Sequence, residues 1–183
     1  MLGILNKIFG GNKSEKDVKQ ILPVVDKVNH FFNEFQNLTN DELRAKTLEF
    51  RKRIQDHLQP VDNEMANKKM EAENLDSNDI AARDEAYREI DDLKKTRNSK
   101  IEEILEQILP EAFAVVKETA RRFTHNELIT STATDLDREL AAQRPNITIG
   151  GDQAVYASTW QAAGGTVTWN MVHYDVQLIG GTV

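Results

Sequence analysis

Residues 61–108 place the tightest constraint on the fold. The stretch is rich in charge, poor in glycine, and carries only a thin line of apolar side chains. Val61, Met65, Ala72 and Leu75 make the first part of that line. "NLDSND" at 74–79 reads as a turn with a helix cap. Ile80, Tyr87, Ile90, Ile101, Ile104 and Ile108 then fit heptad a and d positions, with Lys94 and Arg97 as polar breaks. This pattern predicts an antiparallel helical hairpin, a projecting coiled coil whose charges face water. The same stripe is a candidate surface for a homodimer.

The flanking segments extend the helical reading. "SEKD" at 14–17 is a capping-box variant, and Val18, Ile21, Leu22, Val25, Val28, Phe32 and Phe35 recur behind it at helical spacing. Pro23 predicts a kink or restart there. "LTNDELRAKTLEFRKRIQDHL" at 38–58 opens with a full capping box, Thr39 with Glu42, and a Leu38–Leu43 staple. Thr47, Phe50, Ile54 and Leu58 are its expected buried stripe. Pro110 suits a first helical position, so "LPEAFAVVKETARRF" at 109–123 is expected to start afresh, with Leu109, Phe113, Val116, Ala120 and Phe123 along one side. Beyond it the composition changes. Residues 132–143 read as a short capped helix, and 146–159 as a hairpin around Gly150-Gly151-Asp152. Residues 164–171 alternate like a third strand. The fold class is mainly α with a small β element.

The first residues stand apart. Leu2, Leu5, Ile8 and Phe9 share one face of a short helix that Gly10-Gly11 is expected to end, and Lys7, Lys13, Lys16 and Lys19 lie close by. Such a segment is a candidate anchor on an anionic membrane; the plain alternative is docking on protein.

Several chemistries are excluded by residue content. The net charge of -7 argues against a general nucleic-acid binder, which needs a basic surface. Without cysteine there is no disulfide, zinc-thiolate site or thiol catalysis, which fits a reducing, cytosolic setting. The four histidines, at 30, 57, 125 and 173, lack metal-ligand spacing, so no metal site is expected. "FGGNKS" at 9–14 lacks the glycine before lysine that a phosphate loop requires. No catalytic residue is expected in these 183 residues.

Three blocks, "LTNDELRAKTLEFRKRI" at 38–54, "LPEAFAVVKETARR" at 109–122 and "HYDVQLIGG" at 173–181, follow the opening "MLGILNKIFG" in order. Together they resemble the amino-terminal end of the SecA family of preprotein-translocase motor ATPases. The stretches at 55–105 and 124–168 are longer than the family pattern and read as insertions. The resemblance implies the following partition: 1–12 an amphipathic helix, 13–60 helices of the motor region, 61–108 the hairpin insertion, 109–123 a family helix, 124–170 a second insertion, and 171–183 the start of the nucleotide-binding domain. It also implies that the chain ends before the helicase-like core and its phosphate loop.

By the same resemblance, Gln177 reads the adenine of ATP, Tyr174 stacks on or walls the base, and Met171 adds an apolar contact. For Met171 and Tyr174 the plain alternative is core packing. Val172 stands where the family commonly has Arg, so that guanidinium's contacts are lost. The implied cofactors are ATP and magnesium in the full-length protein, with neither held by this stretch alone. The implied partners are the SecYEG translocon, secretory preproteins and the anionic membrane surface, at the cytoplasmic face of the cell membrane. A self-contained helical adaptor without catalysis is the competing function.

Overall fold

The computed structural model describes residues 11–76 and 79–182, with side chains placed from Lys19 onward. Leu2, Leu5, Lys7, Ile8 and Phe9 lie outside the described residues, and Lys13 is described in its backbone only. In chain order the elements are α1 (Gly11–Phe35), α2 (Asn40–Asn74), α3 (Ile80–His125), β1 (Leu128–Thr132), α4 (Asp135–Gln143), β2 (Ile147–Gly150), β3 (Gln153–Ala157), β4 (Thr159–Ala162), β5 (Gly165–Thr168) and α5 (Asp175–Thr182). The chain is mainly α with a small β element. It divides into two compact units, one from the residues up to Lys46 together with those from Pro110 onward, the other from Thr47–Leu109.

The helices depart from expectation at their ends. α1 includes Gly11 and so opens before Ser14, while the short helix expected over residues 2–9 lies outside the described residues. α1 runs through Pro23, α2 through Pro60 and α3 through Pro110. No restart occurs at Pro23, and no new helix begins at Leu109. A proline inside a helix costs about 3 kcal/mol. Fully burying one large aliphatic side chain returns roughly 1.5–3 kcal/mol. Val25 and Val28 are buried just past Pro23, Leu58 and Val61 flank Pro60, and Ile104, Ile108 and Ala114 flank Pro110. A break would lose the register of several such residues, so burial outweighs the missing backbone bond.

In the first unit Val25, Val28 and Phe35 of α1, Leu43 of α2, Ala114 of α3 and Leu178 of α5 form one buried cluster, with Leu38 and Phe113 packed against it. The expected cap and staple are both present. Glu42 N–H donates to Thr39 Oγ1 at 3.2 Å, and Thr39 N–H donates to Glu42 Oε2 at 2.8 Å. The second unit is a hairpin. Arg97 Nε donates to Asp62 Oδ1 at 2.6 Å, and Lys68 Nζ reaches Glu89 Oε2 at 2.9 Å. The α3 partner number falls as the α2 number rises, which makes the arms antiparallel.

The hairpin's stripe is narrower than predicted. Phe50, Leu58, Val61, Ala72, Ile90, Ile104 and Ile108 are buried, but Thr47 is exposed. Ile80 is 70% and Tyr87 50% exposed, so the heptad line is uncovered at that end. On the facing arm beyond Val61, Ala72 is the only fully buried described residue of α2.

Two antiparallel sheets follow, with strand orders β1-β3-β2 and β4-β5. The β2–β3 turn falls at Gly151-Asp152, where Gly151 has φ +63, a left-handed value that favours glycine. The strand expected at 164–171 exists as β5, but it pairs with β4 in a separate sheet. The third strand of the main sheet is β1, where the sequence predicts no strand. It is held from α2's first turn: Asp41 accepts from Thr132 N–H at 2.8 Å, and Asn40 Nδ2 donates to Thr130 O at 2.8 Å.

Candidate functional site

The site begins with the face of α3 between Phe113 and Phe123. Val116, expected on the inner stripe, is 54% exposed. The buried positions are Ala114, Lys117, Glu118, Ala120 and Arg122, three of them charged. A buried charge is tolerated only when paired and hydrogen-bonded, and each of these is. Arg122 donates from Nε to Glu118 Oε1 at 2.7 Å, from Nη1 to Asn40 Oδ1 at 2.6 Å, and from Nη2 to the carbonyls of Phe35 (3.1 Å) and Leu38 (2.7 Å). The two carbonyls lie at and just past the end of α1, where helices leave acceptors unsatisfied. Arg121 binds both oxygens of Glu118, at 2.7 and 2.8 Å. Burial works against ionising Glu118, but the hydrogen bonds from Arg121 and Arg122 prevail and hold its carboxyl below the usual range.

A second buried carboxylate ties the sheet to α2. Asp137 of α4 is fully buried. It accepts from Arg44 Nη2 at 2.7 Å, from Thr134 N–H at 2.7 Å, and from the Tyr156 hydroxyl. Burial again opposes its charge, and the bonds from Arg44, Tyr156 and Thr134 overcome it, leaving the carboxyl well below the ordinary value. Tyr156, desolvated and donating to that carboxylate, is pushed up to about 12.

On this frame rests the segment 171–182. Met171 offers its carbonyl to Trp169 Nε1 at 2.7 Å and to Thr124 Oγ1 at 3.2 Å, which pins the backbone before α5. The Tyr174 carbonyl accepts from the N–H groups of Gln177 (2.9 Å) and Leu178 (3.2 Å), so α5 starts there. Leu178 drops into the core, and the Gly181 Cα faces the Phe113 ring so closely that an added Cβ would stand 3.3 Å from Cζ.

Gln177 is exposed, and its Oε1 accepts from the Tyr174 N–H at 2.9 Å, half of a capping box. That bond identifies which amide atom is oxygen. One oxygen lone pair and both amide N–H donors are left without a partner among the described residues. Tyr174 is 72% exposed and Val176 71%, so Tyr174 is not a core residue, while Met171 is half-buried. An exposed ring, an exposed aliphatic side chain and a carboxamide with open donor and acceptor positions fit the edge and face of a purine base. They do not fit a triphosphate. No group of three potential metal-ligating side chains occurs among the described residues.

The structure also shows two features absent from the sequence reading. Lys117 Nζ contacts Asn29 Oδ1 at 2.7 Å and Asp175 Oδ1 at 3.4 Å, and Asn29 Nδ2 donates to the same Asp175 oxygen at 3.1 Å. The available signal was a lysine at helical spacing from Phe113 and Ala120, two residues of the expected inner stripe. Second, a cleft of about 660 Å³ opens between α3 and the β element, bordered by Val116, Phe123, Tyr156, Trp160, Trp169 and His173 among others. Met171, Tyr174 and Gln177 do not line it.

Comparison with known proteins bears on this geometry. The family model described as the SecA DEAD-like domain matches residues 5–183. The chain is similar to the protein translocase subunit SecA of Flavobacterium psychrophilum, 50% identical over 97% of this chain and 16% of that protein. It is also similar to the protein of the same name from Porphyromonas gingivalis, 45% identical over 98% of this chain and 16% of that protein. That of Amoebophilus asiaticus is 43% identical over all of this chain and 16% of its own length. The chain thus spans about a sixth of the length of the curated relatives it matches. No solved structure matches it.

Proposed function

Because this chain belongs to the SecA family and corresponds to an amino-terminal portion of it, we propose that it supplies the base-reading edge of an ATP-driven protein-translocating motor. The full-length protein couples ATP hydrolysis to the export of secretory preproteins through the SecYEG channel. It works from the cytoplasmic side, peripheral to the membrane. No helix of the described residues is long and apolar enough to cross a membrane. Leu2, Leu5, Lys7, Ile8, Phe9 and Lys13 are the residues proposed to touch anionic lipid.

One observation carries the base-reading proposal: the Gln177 carboxamide is held at its oxygen by the Tyr174 N–H, with both its N–H donors open. Adenine presents an amino donor beside a ring-nitrogen acceptor, and the remaining lone pair and one N–H of Gln177 complement that pair. Tyr174 provides a ring face, and Met171 a soft apolar contact. ATP, when bound with magnesium, supplies the phosphoryl-transfer chemistry that drives the motor. These 183 residues contain no G-x-x-x-x-G-K-[ST] loop, so the phosphates and metal fall to the rest of the protein.

Two measurements test the proposal. In the full-length protein, Gln177→Ala should raise the KM for ATP about tenfold, the loss of roughly one hydrogen-bonded pair. The 183-residue chain, titrated with ATP in a calorimeter, should show no micromolar binding, because most contacts to a nucleotide go to its phosphates and magnesium. An unchanged KM, or micromolar affinity in the short chain, contradicts the reading.

A further inference from the structure

We infer that Lys117 is a positioning residue for base recognition, acting on Gln177 through Asp175. The inference rests on the base-reading proposal and extends it to a residue that never touches nucleotide. Lys117 is 8% exposed, and its ammonium meets the Asn29 amide oxygen, the Asp175 carboxylate and, 5.0 Å from the centroid, the Phe32 ring. An ammonium taken out of water is stabilised poorly by such a set, since replacing a buried ion pair with an apolar residue is often neutral or better. The Asp175 side chain is 60% exposed, so water alone would solvate it. Stability therefore does not account for the arrangement.

Position does. Asp175 opens α5, between Tyr174, whose N–H holds the Gln177 oxygen, and Gln177 two residues on. Asn29 from α1 and Lys117 from α3 converge on the same Asp175 oxygen. Two elements of the core thereby hold the first turn of α5, and with it the Tyr174–Gln177 bond that sets the angle of the carboxamide. Leu178 and the partly buried Ile179 anchor the next turn from beneath through apolar contact, whereas the polar first turn is fixed in direction by Asn29 and Lys117. Loosening the clamp costs orientation at the base, not chemistry at the phosphates, because a misoriented group loses the benefit of its placement.

The test uses the full-length protein and compares KM and kcat for ATP and GTP. Lys117→Met should raise the KM for ATP about tenfold while changing the KM for GTP and both kcat values less than about twofold. Lys117→Arg should restore most of the preference for ATP. A role in stability alone would leave the ratio of the two KM values unmoved. If Lys117→Met fails to fold, Asp175→Asn removes the same charge pair at an exposed position and should show the same loss of preference. Gln177→Ala is the control. If it loses the preference while Lys117→Met, or Asp175→Asn in its place, keeps it, the positioning role is overturned and the base reading stands. If Gln177→Ala itself keeps the preference, the base reading fails and this inference falls with it.

Discussion

The α3 charges at 118–122 and the hairpin charges from Asp62 to Arg97 are drawn from the same residue types, yet they live in opposite surroundings. Glu118 has no exposed surface and is held by two guanidiniums. Asp62 is nearly half exposed and faces one. In the first case Glu118 and Arg122 replace their lost water with several fixed partners, so removing one leaves buried groups short of hydrogen bonds. In the second, water stands ready to replace the partner. Apolar burial is distributed the other way. The hairpin depends on a single file of apolar residues, whereas the first unit buries a cluster fed by four helices. Charge is therefore structural where the core is broad, and incidental where it is thin.

The largest effect should come from Arg122→Ala. It strands Asn40 and two carbonyls and leaves Glu118 to Arg121 alone, and should cost about 3–5 kcal/mol, read by urea denaturation. A cost below about 1 kcal/mol would show that water enters and the network is not closed. Next is Ile104→Ala in the hairpin, expected at about 2–4 kcal/mol because it cuts a stripe with few substitutes. Should it cost as little as a surface change, the hairpin's arms are not held by their apolar file.

Acid should separate the regions in kind. Glu118 and Asp137 titrate below their unfolded values, so their contribution is full above the ordinary carboxylate range, about pH 4, and drains away as pH falls below it. Both tryptophans, Trp160 and Trp169, lie in the unit that holds these carboxylates. Their fluorescence should change in that window before the helical circular dichroism does. Coincident transitions would remove the contrast. The smallest effect is expected from Asp62→Ala, which should leave the melting curve unchanged within error at physiological salt, as exposed pairs usually do.

What the sequence determined by itself is what short-range chemistry can write. The Thr39–Glu42 box, the Gly151-Asp152 turn and the helical spacing of Val25, Val28 and Phe35 each depend on a few neighbouring residues, and each is formed. The role proposed for Gln177 comes only from its block's resemblance to a family, since one glutamine in an apolar run carries no pattern. Tertiary structure decided the rest. Pro23 looks like a restart and Pro110 like a helix start until the buried residues around them are counted. β1 has five residues of weak alternation and becomes a strand because β3 and the first turn of α2 bond its backbone. Lys117, Glu118 and Arg122 look solvated because exposure is the default for charge. Their partners Asn29, Asn40 and the carbonyls of Phe35 and Leu38 lie more than 80 residues away. No local rule brings such groups together, since only the packed helices set the distances at which a buried charge becomes favourable.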